Sequence, residues 1–319
     1  MKSNYLMFFF LFAFVLVYNC KNEKKEQINI EQSQEQVKEK KDNYIEIVTN
    51  VMDFQSMDTI PSGWNTFKYI NKSTQAHFFL LDKYPEGKNI QNTIAEVGPP
   101  FDNGMEFIMK GDMDKAMAEF GKLPEWFGQI VFTGGSGLVS PGQTSITTVK
   151  LLPGLYIMEC YVKMADGKFH TSMGMAKEIH VLEEDSGNEP PKADIDITIS
   201  STDGITYSSS IKKGNQVFAV HYKDQIVHEN FVGHDVNLVK LDANADLEML
   251  EAWMNWATPT GLMDPLPEGI TFLGGTNDAP AGSTQYFEVD LTPGKYAFIS
   301  EVPNTSSKNM LKTFEVLNQ

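Results

Sequence analysis

Cysteine is almost missing from this 319-residue chain, which has two, Cys20 and Cys160. A framework of several disulfides is excluded, so its cores must come from apolar burial. Histidine is scarce as well: there are six, with no His-x-His pair. The patterns Gly-x-Ser-x-Gly, the phosphate-binding loop and His-Glu-x-x-His are absent, which excludes the sites they build. Positive charge is short, with 26 Lys and Arg against 42 Asp and Glu, a net charge of -16. Such a surface is repelled by phosphate backbones and by anionic lipid. Nucleic acid is therefore excluded as a partner, and residence at a membrane requires a separate anchor. The apolar run from Tyr5 to Tyr18 falls short of the about 20 residues that a spanning helix needs.

What is present is enough for globular cores, with 41% hydrophobic and 21% charged residues. The length favours two domains of roughly 100–200 residues each. The start, Met1-Lys2 followed by the Phe-rich run to Tyr18, has the form of a secretory signal. It ends at Val17-Tyr18-Asn19-Cys20, and polar sequence begins at once with Lys21-Asn22-Glu23. This resembles a bacterial lipoprotein signal over residues 1–20. The resemblance implies a lipidated Cys20 as the first mature residue and an extracytoplasmic protein anchored to an envelope membrane; an uncleaved signal anchor is the alternative. Residues 21–43 are nearly all Glu, Gln, Lys and Asn, too polar to repay the entropy of ordering, and read as a solvated tether.

From Tyr44 the chain changes to short alternating runs such as Tyr44-Ile-Glu-Ile-Val, His77-Phe-Phe-Leu-Leu and Leu155-Tyr-Ile-Met. Period-two alternation predicts strands with one buried face, hence an all-β sandwich. A helix is expected at Asp114-Lys-Ala-Met-Ala-Glu-Phe. The acidic, proline-bearing stretch over 183–194 reads as a linker between domains at 44–182 and 195–319. After it the plan repeats. Asp246-Leu-Glu-Met-Leu-Glu-Ala-Trp-Met returns the helix, Phe272-Leu-Gly274-Gly275 answers Phe132-Thr-Gly134-Gly135, and Thr292-Pro-Gly-Lys-Tyr296 answers Leu152-Pro-Gly-Leu-Tyr156. A tandem duplication accounts for both series.

A histidine opening a middle strand, then Pro-Gly-x-Tyr, cysteine, histidine and methionine, resembles the cupredoxin family, the type 1 copper proteins. The resemblance implies two Greek-key β-sandwiches, each with a short helical insertion. It implies His77, Cys160, His170 and Met175 as copper ligands in the first domain, with Met173 as a nearby alternative to Met175. Thiolate, two imidazoles and a thioether suit copper in both oxidation states. The departure is the loop: nine residues separate Cys160 from His170, more than such a ligand loop usually holds.

In the second copy Ser300 stands where Cys160 does, and only His234 and Met310 remain. Copper is therefore expected in the first domain alone. Enzymes of this family need further histidine-rich copper centres, and the chain is expected not to be an enzyme. The leading expectation is a membrane-tethered cupredoxin-like lipoprotein that binds one copper ion for electron transfer or copper handling, with a redox or envelope protein as partner. The alternative is a metal-free binding or scaffold module of the envelope.

Overall fold

The computed structural model describes residues 44–318. The signal peptide, the lipidated Cys20 and the tether expected before them lie outside the described residues. Among the described residues no helix is long and apolar enough to cross a membrane.

The alternating runs fold as strands. The first half contains β1 (Ile45–Thr49), β2 (Thr59–Asn71), β3 (Leu80–Lys83), β4 (Val131–Gly135), β5 (Thr144–Leu151), β6 (Gly154–Glu159) and β7 (Ala176–Asp185). The second contains β8 (Ile195–Ser200), β9 (Gly204–Tyr207), β10 (Gly214–Tyr222), β11 (Val236–Leu241), β12 (Ile270–Thr276), β13 (Thr284–Leu291), β14 (Gly294–Ile299) and β15 (Leu311–Val316). Along β2 buried positions alternate with half-buried ones, because successive side chains of a strand point to opposite faces.

One set of pairings occurs in both halves. β1 runs parallel to β2, which pairs with β5; β3 pairs with β4 and β6, and β6 with β7. Correspondingly, β8 runs parallel to β10, which pairs with β13; β11 pairs with β12 and β14, and β14 with β15. In each half the chain crosses from one sheet to the other and back, as in a Greek key. The aromatic contacts Phe67–Phe79 and Phe218–Phe298, at 5.3 and 5.7 Å, fill the spaces between layers. The all-β architecture of two β-sandwich halves expected from the sequence is what these pairings show. β5 also pairs with β13, so one sheet continues across both halves.

The repeated Gly-Gly pairs lie at that junction. The Gly274 amide donates to the Leu138 carbonyl at 2.8 Å, and the Asn277 amide to Gly135 at 3.2 Å. Gly134 and Gly274 have φ of 110° and 99° and abut Gln285 and Ser145 of the opposite half. Gly135 and Gly275 abut the backbone carbonyls of Phe79 and Val236 so closely that a Cβ would collide with either oxygen. The Gly134-Gly135 pair is therefore the end of β4, kept bare so that backbones can close up.

The helices fill the long connection of each half. α1 (Ile90–Asn92) and a π turn (Thr93–Val97) lead into α2 (Gly98–Met109), then α3 (Met113–Phe120); α4 (Leu247–Met254) lies in the second half. α3 starts one residue before the expected stretch and is capped by Asp112, whose carboxylate accepts the Lys115 amide at 3.3 Å. α4 is capped by Asp246, which accepts from the Glu248 and Met249 amides. α2 was not legible because it opens on Gly98-Pro99-Pro100, residues that mark turns but are tolerated in a first helical turn. The Pro-Gly-x-Tyr motif also gains a reason. Tyr156 donates its hydroxyl to the Leu152 carbonyl, and Tyr296 to that of Thr292, both at 2.8 Å. Each tyrosine closes the turn that delivers its strand to the sheet.

Substituting Gly135→Ala should cost about 2–4 kcal/mol, because the Phe79 carbonyl is held by the Ser136 amide at 3.0 Å and cannot withdraw. Gly128→Ala, where a Cβ meets nothing within 4 Å, should stay within about 0.5 kcal/mol of the parent. Denaturant unfolding of both variants measures the difference.

Candidate metal centre

His77, Cys160 and His170 come together at the end of the first sandwich, each with no exposed surface. Cys160 Sγ lies 3.7 Å from Nδ1 of His77 and 3.7 Å from Nδ1 of His170, and the two Nδ1 atoms are 3.1 Å apart. A point equidistant from three atoms so spaced lies about 2.0 Å from each, within the about 2.0–2.3 Å of first-row metal bonds to imidazole and thiolate. The Nε2 atoms of both histidines are buried without a hydrogen-bond partner. The imidazoles therefore meet polar atoms only at the point where they meet the thiol. The buried group fits a type 1 copper site: two imidazoles and a thiolate in a trigonal set.

His77 is held by its backbone. Its amide donates to the Val139 carbonyl at 3.1 Å, and the Val139 amide returns a bond of 2.7 Å. Val139 in turn bridges to Leu273 of the second half. The preceding amide, Ala76, donates to Asp264 Oδ2 at 3.1 Å.

The excursion from Cys160 to His170 closes. It is a small hairpin in which the His170 amide donates to Val162 at 2.8 Å and the Thr171 amide to Cys160 at 2.9 Å, with Met164-Ala-Asp-Gly as the tip. Both strands of this hairpin keep their ligand at the base, so the length of the insertion does not separate them. The hairpin also rests on the second half. The Lys163 amide donates to Leu262 at 2.7 Å, and its ammonium to the carbonyls of Trp256, at 2.9 Å, and Thr258. Lys163 is fully buried, and burial lowers its pKa to about 8. Phe169 packs edge-on to Trp256 at 5.4 Å and Tyr161 to Phe78 at 4.6 Å.

After His170 a 3₁₀ turn (Thr171–Met173) and Gly174, at φ 101°, bring in Met175. The Met175 amide donates to the His170 carbonyl at 2.9 Å, and its side chain is fully buried, whereas Met173 is 50% exposed. In the second half Ser300 donates to Asp235 Oδ1 at 2.7 Å, and His234 Nε2 lies 2.9 Å from Nε2 of His228.

Burial sets the protonation states. Desolvation pushes the Cys160 thiol up to about 12, although the amides of Phe78 and Val162 favour its thiolate. It lowers His77 to about 4, and His170, which also feels His77, to about 3. At neutral pH the metal-free group is thus one thiol and two neutral imidazoles.

No family model matches the chain, and no curated protein matches it. Among solved structures it is similar to dithionite-reduced auracyanin from Roseiflexus castenholzii, at 21% identity over 44% of this chain and 96% of that one, with a TM-score of 0.25. A multicopper oxidase aligns at 13% identity over 86% of this chain and 87% of its own, with a TM-score of 0.22. A copper nitrite reductase from Nitrosomonas europaea aligns at 12% over 86% and 94%, with a TM-score of 0.23. Likenesses this distant assign no activity to the chain.

They do correct one expectation. The chain was expected not to be an enzyme, yet enzymes stand among its structural neighbours. The missing motifs and the few histidines exclude particular catalytic centres, not catalysis as such.

Sequence reasoning missed Lys163, Asp264 and the Leu262 carbonyl. A lysine fully buried in a ligand loop has no local signal, since its partners lie 93 and 95 residues away.

Two outcomes are expected. Uptake of a divalent ion should release one proton, from Cys160, so apparent affinity should fall about tenfold per pH unit from pH 8 to 5 and more steeply near pH 4, where His77 protonates. Competition titrations at several pH values measure that slope. Lys163→Met should destabilise the protein by about 2–4 kcal/mol, because two buried carbonyls lose their donor; thermal unfolding reads it.

Proposed function

We propose that the chain is a copper protein of the cell envelope, tethered through a lipidated Cys20, whose first half holds one type 1 copper ion for electron transfer. The convergence of three fully buried ligand atoms, 3.1–3.7 Å apart, carries this reading. His77, Cys160 and His170 would hold the ion, and Met175, buried on the turn after His170, would supply a thioether. Copper held there would supply a one-electron couple, and this mixture of thiolate, imidazole and thioether suits both of its oxidation states.

The residues around the ion do the rest. The Phe78 and Val162 amides stabilise the thiolate. The rings of Phe78, Tyr161 and Phe169 shut out water, and the hairpin tied to Lys163 holds Cys160 and His170 in register. Complete burial of all three ligands favours an ion that stays and passes electrons over one that is handed on. The second half, with Ser300 in place of the thiolate, acts as a scaffold, and its matching strand pairings favour descent from a duplication.

Copper(II) added to the full chain should give an intense thiolate-to-copper band in the visible. The band should vanish in Cys160→Ala and persist, shifted, in Met175→Leu. A colourless parent protein at full copper occupancy would falsify the type 1 reading. Fatty-acid labelling that survives Cys20→Ser would remove the lipid anchor.

A further inference from the structure

A cavity of about 110 Å³ lies beside the metal centre, between the two halves. Alternation along two short segments separates the sites. Cys160 belongs to the metal group while its neighbour Glu159 lines the cavity; His170 belongs to the metal group while Phe169 and Thr171 line the cavity.

The walls are aromatic. Phe101, Phe169, Phe231 and Trp256 all line the space and form a chain of edge contacts, with centroids 5.4–6.4 Å apart. Trp256 is pinned through its indole N–H, which donates to the Asn230 carbonyl at 3.1 Å. Asn230 and Phe231 both hold positive φ, 64° and 63°. A bulky Phe rarely adopts that conformation, and such strain collects at binding sites.

Three carboxyl groups, of Asp82, Glu159 and Asp278, line the same space, and no basic side chain does. None of them is in an ion pair among the described residues. Asp82 is only 2% exposed; its carboxyl shares a hydrogen bond with that of Glu159, while its Oδ1 has no partner. Asp278 is 7% exposed and accepts a single bond, from the Gly233 amide at 3.1 Å. The three do not converge as metal ligands: the metal-binding group found among the described residues is the His77, Cys160 and His170 set.

Carboxyls without a cationic partner call for one, and aromatic walls favour a cation that is weakly hydrated and organic, which gains from the ring faces. At about 110 Å³ the space admits a cation smaller than benzene, which an apolar cavity of about 150 Å³ accepts. The net charge of -16 would draw cations toward the protein. The geometry points to a binding site for a small organic ammonium ion, its charge on Asp82 and Asp278 and its carbon body against Trp256 and Phe101.

The test uses the full chain without added metal, so its result is independent of the copper reading. Calorimetric titration with propylammonium chloride should show saturable one-to-one binding, at least tenfold tighter than that of the neutral isostere 1-propanol. Asp82→Asn and Asp278→Asn should each weaken the ammonium tenfold or more and leave the alcohol unchanged. Equal or tighter binding of the alcohol, or no saturable binding of either compound, overturns the proposal. Should Asp82→Asn fail to fold, Asp278→Asn and the parent's preference between the two compounds still decide it.

Discussion

The ammonium of Lys163, fully buried and bound to two carbonyls of the other half, is the constraint on which the metal loop depends. A lysine is rarely taken entirely out of water, because desolvation opposes its charge. Here two carbonyls and the neighbouring amide bond to Leu262 offset that cost and lock the hairpin to the 256–262 segment. Asp264, a few residues further on, holds the Ala76 amide just before His77. One short segment of the second half thus fixes both strands that carry metal ligands. The three ligand atoms can wait at bonding separation without a metal because their backbones are held from outside the first sandwich.

That dependence explains what the second half retains. Ser300 and Asp235 satisfy each other where a thiolate would otherwise stand, so the position is closed by a hydrogen bond and needs no ion. The strand pairings and the tyrosine that closes the turn are kept. At the junction Gly134 abuts Gln285 and Gly274 abuts Ser145 of the opposite half, while Gly135 and Gly275 close on Phe79 and Val236 within their own halves. Without a folded second half, Lys163 and Ala76 would have no partners.

The chemistry of the centre was legible because its residues stand in a telling order. Cysteine, histidine and methionine follow Pro-Gly-x-Tyr along one stretch, and His77 begins a strand-like run. Local rules also found most strands and the helix capped by Asp246, since alternation and capping are written within a few residues. The closure of the excursion was not legible. It rests on Lys163, whose partners are 93 and 95 residues away, and the support of His77 rests on a contact spanning 188 residues. The choice between Met173 and Met175 likewise came from burial, which a spacing rule cannot supply. The cavity escaped for the same reason, because its aromatic and acidic residues are scattered from Leu80 to Asp278.

The acidic residues between the halves follow a different logic from those at the surface. Asp82, Asp278, Asp235 and Glu301 are all buried, and desolvation with mutual repulsion raises the pKa of each except Asp235, which burial alone moves to about 6. The chain contains no arginine, so none of them can meet the planar guanidinium fork that buried carboxylates commonly use. Tyr161 donates to Glu301 at 3.0 Å and Ser300 to Asp235 at 2.7 Å, but Asp82 Oδ1 has nothing. Asp82 instead shares a hydrogen bond with Glu159, which two carboxyls can form only while one keeps its proton. The residue that opens this row on the metal side, Glu159, is the chain neighbour of Cys160. Strand alternation sends those two side chains to opposite faces, so the two sites are one residue apart in the chain and still chemically separate.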